Sequence, residues 1–137
     1  MQAFRIGSGA GYSGDRIDPA RDLAERGALN ALVFECLAER TIALAQLRRS
    51  LDPEAGYDPL LEERLHAVLP SCVAQGTTLI TNMGAANPQA AGEAVLAVGR
   101  ALGLPRLRVA VVTGDDVLSW MQANDVPLMD SAESVRS

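Results

Sequence analysis

Apolar residues recur along the chain as helix-like repeats, each followed by a glycine and then a short continuous apolar run. The pattern appears in "ARDLAERG-ALNALVFE", "LHAVLPSCVAQG-TTLITN" and "AVLAVGRALG-LPRLRVAVVTG". Continuous apolar runs of this length are typical of strands buried on both faces. Gly27, Gly76 and Gly103 stand where the end of a helix favours a left-handed residue. Together with the opening "AFRIG", the pattern predicts four strands, at about 3–7, 30–35, 77–82 and 107–113.

The helices between these strands have recognisable starts. A capping side chain followed by proline fits the first turn of a helix, and Asp18-Pro19, Asp58-Pro59 and Asn87-Pro88 mark three of the predicted helix starts. Residues 37–50 and 59–75 read as two further helices, the second bent or split at Pro70. The order β-α-β-α-α-β-α-β-α predicts an α/β fold, three-layer-like, with a mostly parallel sheet of about four strands and flanking helices.

The length of 137 residues fits one compact domain, which buries roughly two-thirds of its unfolded surface. We expect an α/β domain over residues 1–124, in a sheet that is part of a larger one. Residues 125–137 are polar without periodicity, and we expect a flexible tail or the start of a missing segment. An exposed sheet edge invites pairing, so we expect a homo-oligomer or a partner subunit that completes the fold.

Charge and composition argue against nucleic-acid binding, membrane insertion and secretion. The net charge is −5, and without a basic stripe the chain is not expected to bind nucleic acid. No apolar stretch reaches the roughly 20 residues of a membrane span, and no signal-peptide pattern is present, so we expect a cytoplasmic protein. Cys36 and Cys72 are expected to be free buried thiols, and His66 a surface residue of a helix. No metal site is expected.

Chemistry is expected at the carboxyl ends of the strands, where parallel α/β sheets bind ligands. Three of the four segments that follow the predicted strands are rich in Gly, Ser, Asn and Asp. As ligand-binding candidates we take Ser8, Gly9, Gly11, Tyr12, Ser13, Asn82, Gly84, Asn87, Asp115 and Asp116. The carboxylates Glu35 and Asp15 are the catalytic candidates, and burial of Glu35 beside little water would raise its pKa and suit acid–base work.

The segment "GAGYSG", residues 9–14, matches the G-x-G-x-x-G spacing of dinucleotide-binding loops, with Glu35 at the end of the next strand. That motif requires a helix that opens inside the glycines, whereas Asp18-Pro19 places the helix start four residues later. NAD(P) is therefore not expected. The glycines could instead serve tight turns alone, or line a different active site.

Several loop residues also have purely structural interpretations. Glu35 could pair with Arg5 or Arg40, and Asn87 could do no more than cap the helix at Pro88. One of Asp115 and Asp116 is expected to cap the helix "VLSWMQAN", although paired carboxylates also suit Mg²⁺ or ribose hydroxyls. The sequence leaves these alternatives open.

The chain resembles the N-terminal portion of the acyclic terpene utilisation family, the AtuA-type proteins. The resemblance lies in "RIGSGAGYSGDRIDPARDLAERG", "ALVFECLAERTIALAQ", Gly56-Tyr57, "ITNMGAANPQAAGEAV" and "RVAVVTGDD". It implies a catabolic enzyme, or an enzyme subunit, for a branched acyl or hydroxyacyl substrate that could be a CoA thioester. The resemblance assigns no role to any residue. Our own hypothesis for the chemistry is hydration or dehydration with Glu35 or Asp15 as base, while Asn82 and the Gly9–Gly11 amides stabilise an oxyanion.

Two other functions stay open: a nucleotide- or dinucleotide-binding module that uses the Gly9–Gly14 loop, and a non-catalytic interaction subunit. The segment "NMGAANP" departs from the "NAGGMNP" expected of the family. Met83 and the absence of a second glycine at residue 85 alter how closely a ligand approaches the backbone there.

Overall fold

Three parallel strands form the sheet of this computed structural model, which describes residues 3–136. The strands lie in the order β1-β2-β3 and are β1 (Ile6–Ala10), β2 (Ala31–Phe34) and β3 (Thr78–Thr81). In the register, Gly7 lies beside Leu32, which lies beside Leu79. The α/β class and the parallel sheet are confirmed. The first strand begins later than predicted and takes in Gly7 and Gly9.

Five helices accompany the strands in the described part of the chain: α1 (Asp18–Arg26), α2 (Glu39–Leu51), α3 (Leu61–Gln75), α4 (Pro88–Ala101) and α5 (Leu118–Asn124). The helices predicted at 37–50 and 59–75 are present within two residues at each end. Pro70 lies inside α3, which continues through it as one helix rather than two. None of the helices within residues 3–136 is long and apolar enough to span a bilayer.

The core lies against one face of the sheet. Leu32 and Phe34 of β2 are buried there, beneath α1 and α3, which contact each other and the sheet. The principal helix residues of this core are Ala20, Ala24, Leu61, Leu65, Val68, Leu69 and Cys72. On the opposite face the side chains of Ile6 and Ile80 are 65% and 52% exposed. Helices thus cover one face of the sheet, and the third layer that the sequence led us to expect is not formed by residues 3–136.

Residues 107–113, predicted to be the fourth strand, are not part of the sheet. This segment follows α4 instead: a Cβ added at Gly99 would lie 2.8 Å from the Leu107 side chain, and one added at Gly92 would lie 2.8 Å from that of Val111. The apolar residues that indicated a strand therefore pack on the small residues of a helix. Between residues 108 and 116 the described chain makes no backbone hydrogen bond to β3.

Two of the three glycines predicted to end a helix in the left-handed conformation do so. Gly76 and Gly103 have φ angles of 70° and 72°, as expected of left-handed caps. Gly27 does not, since its φ is −72°, and the left-handed conformation falls on the next residue, Ala28, with φ 47°. A Cβ at Gly27 would lie 2.5 Å from the carbonyl oxygen of Leu23, so glycine is required there by a close approach rather than by φ.

The helix starts also differ in detail. Asn87 is the N-cap of α4, and its side chain accepts the Ala90 N–H as predicted. Asp18 instead lies inside α1 and pairs with Arg16. Asp58 precedes α3 by three residues, where its carboxylate accepts the Leu60 N–H at 2.8 Å. Asp58 is thus part of a turn, which brings its carboxylate to the end of the sheet.

Candidate functional site

A narrow cleft opens at the carboxyl ends of the strands. It is lined by Ser13 after β1, Cys36 after β2, and Asn82 and Met83 after β3. The wall opposite the strands comes from α2 and the loop that follows it, through Thr41, Ala45, Arg48, Tyr57 and Asp58. Its enclosed volume is about 10 Å³, which is room for a single water-sized group. The cleft lies where parallel sheets place their ligands.

A buried arginine from α3 lies behind this cleft. Arg64 is 0% exposed, and its Nη2 donates to the carbonyl oxygens of Ser13 and Asp15, each at 2.8 Å. Its Nη1 donates to the Cys36 sulfur at 2.9 Å and more distantly to the Met83 sulfur. Arg64 therefore connects the segments that follow all three strands.

The charge of Arg64 has no direct counter-charge. Within residues 3–136 no carboxylate forms an ion pair with it, and its Nε has no hydrogen-bond partner. The guanidinium carbon lies 5.9 Å from the centre of the Phe34 ring, a distance that allows a cation–π interaction. Burial raises the pKa of the Cys36 thiol, so the sulfur is an uncharged and weak acceptor.

Asp58 is the buried carboxylate of the cleft. Its side chain accepts the Ser13 hydroxyl at 2.6 Å and the Leu60 N–H at 2.8 Å. These bonds connect the glycine-rich loop after β1 to the start of α3. The Ser13 hydroxyl is thereby oriented by a carboxylate at the mouth of the cleft.

Asn82 connects the ends of β2 and β3. Its Oδ1 accepts the Cys36 N–H at 2.7 Å, and its Nδ2 donates to Glu35 at 2.9 Å. Glu35 is exposed, and no ion pair with Arg5 or Arg40 occurs within the described residues. The bond from Asn82, with that from the Leu37 N–H, lowers the pKa of Glu35. This direction is opposite to the one that burial would have produced, and Glu35 is ionised at neutral pH.

Asp15 closes the glycine-rich loop on itself. Its two carboxylate oxygens accept the N–H groups of Gly11, at 3.0 Å, and of Arg16, at 2.8 Å. These backbone bonds lower the pKa of Asp15. The Gly11 amide, which a bound phosphate or oxyanion would need, is therefore already occupied by a carboxylate of the chain.

The remaining residues of this loop serve packing or face solvent. A Cβ at Gly9 would lie 2.7 Å from the Phe34 ring, so this glycine admits the aromatic ring beneath β1. Gly11 and Gly14 have no positive φ. Tyr12 is 60% exposed, and Ser8 is on the uncovered face of the sheet. Packing against a strand therefore accounts for Gly9 but not for Gly11 or Gly14, and α1 begins only at Asp18.

The loop after β3 is tied to its surroundings by Asn87. The Asn87 side-chain amide donates to the carbonyl oxygens of Pro53 and Ala55, at 2.8 and 2.9 Å. A Cβ added at Gly84 would lie 3.0 Å from the Cα and Cβ atoms of Pro88. Ala85, where we expected glycine from the sequence analysis, adopts a left-handed φ of 45°. This loop is held by the protein's own contacts.

The two aspartates near α5 are exposed and do not line the cleft. Asp116 accepts the Leu118 N–H at 3.1 Å, consistent with a role at the start of α5, and contacts Arg49 at 3.3 Å. Residues 3–136 contain no group of three or more His, Cys, Asp or Glu side chains that could hold a metal ion.

Of the candidates named from the sequence, Ser13 and Asn82 lie in the cleft, with Glu35 bonded to Asn82 at its margin. Sequence reasoning missed Arg64, Asp58, Arg48 and Cys36. A signal for Arg64 existed, because residue 64 shares the helical face of Leu61, Leu65 and Val68. A charged residue on an apolar face is buried with partners or functional.

A family model described as "Acyclic terpene utilisation family protein AtuA" matches residues 4–136. The chain belongs to the acyclic terpene utilisation family. The AtuA match extends beyond the residues that carried the resemblance, through the segment after α5. Membership indicates a catabolic role. No curated protein and no solved structure matches the chain.

Proposed function

We propose that this AtuA-family chain is a catabolic enzyme, or a subunit of one, that binds a branched acyl or hydroxyacyl compound over the strand-end cleft, with only a polar end group of the compound inside it. The substrate would be the free acid or its CoA thioester. One observation carries the proposal: Ser13, Cys36, Asn82 and Asp58, from four separate segments, line one cleft at the carboxyl ends of the strands. Convergent polar groups at this edge of a parallel sheet are typical of ligand sites.

The reaction class that we propose is proton transfer, as in hydration or dehydration. Glu35 is the base that we retain, because it is exposed at the margin of the cleft and ionised at neutral pH. Its lowered pKa makes it a weaker base than the buried carboxylate that the sequence led us to expect. Asp15 suits this role less well, since both of its oxygens accept backbone N–H groups. We assign Asp15 to holding the glycine-rich loop, and Asn82 to orienting Glu35.

Binding of a ligand panel tests this proposal. The panel contains 3-methylbutanoate, 3-hydroxy-3-methylbutanoate, their CoA thioesters, NAD(P) and adenine nucleotides. A ligand present at 100 times its Kd should stabilise the chain by about 2.7 kcal/mol. We expect stabilisation by a branched acyl compound. Stabilisation by NAD(P) or adenine nucleotides alone would support the dinucleotide module, and no stabilisation by any compound would refute ligand binding by this chain.

Glu35→Gln tests the proposed chemistry separately from binding. Glutamine retains an acceptor for Asn82 but cannot accept a proton as a carboxylate does. We expect the variant to bind the acyl compound within about twofold of the wild type and to lose at least about a hundredfold in turnover. Unchanged turnover would remove Glu35 from the mechanism. Asp15→Asn is the comparison variant, with a smaller expected effect on turnover.

A second candidate function, that of an interaction subunit, is favoured by the uncovered face of the sheet. Phe4, Ile6 and Ile80 are 72%, 65% and 52% exposed, and Val33 lies between Ser8 and Ile80 in the register. Apolar patches of this kind mark interaction sites. Ile80→Lys should abolish any dimer or partner complex measured by light scattering, whereas a wild-type chain that is monomeric and ignores the product of the neighbouring gene would refute this role.

A further inference from the structure

Two adjacent arginines of α2 have different surroundings. The Arg49 guanidinium is engaged by the chain itself, since its Nη1 donates to the Ala86 carbonyl at 2.6 Å and contacts Asp116 at 3.3 Å. Arg48 makes one hydrogen bond, from Nε to the Leu44 carbonyl at 3.2 Å. Neither Nη group of Arg48 has an acceptor among residues 3–136, although Arg48 lines the cleft. The donors of Arg48 are thus left for something other than the chain.

The acidic side chain that shares the cleft does not neutralise Arg48. Asp58 is satisfied by the Ser13 hydroxyl and the Leu60 N–H, and no ion pair joins it to Arg48 within the described chain. Glu35 at the margin likewise takes its hydrogen bonds from Asn82 and the Leu37 N–H. Both carboxylates take their hydrogen bonds from neutral donors, so neither of them is bonded to Arg48 or Arg64.

Arg64 adds a second positive charge behind the cleft. It is fully buried without an ion pair, and its contacts Cys36 and Met83 both line the cleft. A buried charge acts through a medium of low polarisability, so its field reaches further than it would in water. Its nearest groups on the cleft side are sulfur atoms, which are weak acceptors. The field of Arg64 therefore favours an anion on the far side of Cys36.

From these contacts we infer that Arg48 is the specificity residue of the cleft, and that it binds the carboxylate of the acyl substrate with support from the buried charge of Arg64. A guanidinium matches a carboxylate through two parallel N–H donors. The inference rests on the proposed function, because it names the carboxylate as the part of the proposed acyl ligand that enters the cleft.

Calorimetric titration of the 137-residue chain with 3-methylbutanoate and with the uncharged 3-methylbutanamide tests the inference. The two compounds differ little in shape, and only the acid offers a charge to Arg48. For the wild type we expect the acid to bind about tenfold more tightly than the amide, since a charged hydrogen bond is worth roughly a factor of ten or more. Arg48→Gln should remove this preference, and Arg48→Lys should retain part of it.

Two control variants separate recognition from folding. Arg49→Gln removes the neighbouring charge of the same helix, and Arg40→Gln removes an exposed charge near its start. Both should keep the preference for the acid within about twofold, since neither contacts the cleft. Loss of the preference in Arg40→Gln as large as in Arg48→Gln would overturn the inference, because general electrostatics would then explain it.

Each outcome of the titration has one meaning. If acid and amide bind the wild type equally well, the proposed function stands and the role of Arg48 is refuted. If orthophosphate binds with the same dependence on Arg48 and 3-methylbutanoate does not bind, the site is for phosphate and the carboxylate assignment is refuted. If no compound binds, the proposed function falls and the inference falls with it.

Discussion

The Arg64 guanidinium donates to the Cys36 sulfur across 2.9 Å, beneath the strand-end cleft. This contact joins the middle of α3 to the end of β2, and the other guanidinium nitrogen holds two carbonyl oxygens of the loop after β1. A single side chain thus sets the relative positions of the segments from which the cleft is built. The ordering of the site depends on a helix residue outside the glycine-rich loop.

Replacing Arg64 by methionine should destabilise the chain and loosen the glycine-rich loop. The Ser13 and Asp15 carbonyl oxygens would lose charged hydrogen-bond donors, which destabilises the fold, while the desolvation penalty of the buried guanidinium would disappear. We expect a net loss of about 2 kcal/mol in the free energy of unfolding. Urea unfolding measures the loss, and hydrogen exchange of the Gly11 and Asp15 amides should become faster. Arg40→Met, at an exposed site of α2, should change stability by less than about 0.5 kcal/mol. Equal effects of the two variants would contradict the role given to Arg64.

Gly9→Ala should be destabilising, whereas Gly11→Ala should be close to neutral. The new methyl group at residue 9 would lie 2.7 Å from the Phe34 ring, while at residue 11 the nearest atom is 4.0 Å away. Overpacking of this kind costs about 1–3 kcal/mol, and thermal unfolding measures it. Phe34→Leu in the Gly9→Ala background should recover part of the loss. A larger effect at residue 11 would instead indicate that the loop glycines serve a close ligand approach.

Ala85→Gly should stabilise the chain. The φ of 45° at residue 85 is left-handed, where a Cβ costs about 1–2 kcal/mol and glycine's greater unfolded-state entropy offsets part of the gain. We expect a net increase of about 0.5–1 kcal/mol in the free energy of unfolding. Ala97→Gly, on the exposed surface of α4, should lower it by about 1 kcal/mol. A loss of stability in Ala85→Gly would show that the loop does not hold this conformation.

Asp15→Asn should reduce the sensitivity of the fold to acid. The Gly11 and Arg16 N–H groups lower the pKa of Asp15 in the folded chain, so its carboxylate favours folding above the unfolded pKa. That contribution is lost as pH falls from the unfolded value, near 4, through the lower folded value. The slope of unfolding free energy against pH between about 3 and 5 should be shallower in the variant. An identical slope would contradict the assignment.

Much of the fold followed from sequence patterns because they report local physics. Periodicity found the helices and three strands, and Asn87-Pro88 marked the start of α4 correctly. The prediction of a strand at 107–113 was wrong because an apolar run does not show whether it pairs with a strand or packs on a helix. Here the run packs on α4, against Gly92 and Gly99. The prediction of a left-handed cap at Gly27 was wrong because a glycine can be required by a close contact as well as by a positive φ. At Gly27 the close contact is with the Leu23 carbonyl oxygen.

The cleft could be located from the sequence more readily than its residues could be chosen. The rule for parallel sheets indicated the edge at which the cleft lies, and Ser13 and Asn82 line this cleft. Asp58 was predicted to be a helix cap and Arg48 was not singled out, because their roles depend on a loop that folds back over the strand ends. The spacing of residues in the sequence does not reveal two further contacts. Asn82 donates a hydrogen bond to Glu35 from 47 residues away, and the Gly11 N–H donates to Asp15 within the loop.

Amide NMR of the chain titrated with 3-methylbutanoate tests the central claim most directly, because it locates the ligand. Binding in the cleft predicts shifts concentrated at Ser13, Cys36, Asn82 and Met83, in the segments that follow the three strands. Shifts confined to the uncovered sheet face around Ile6 and Ile80, or spread evenly over the chain, would contradict it.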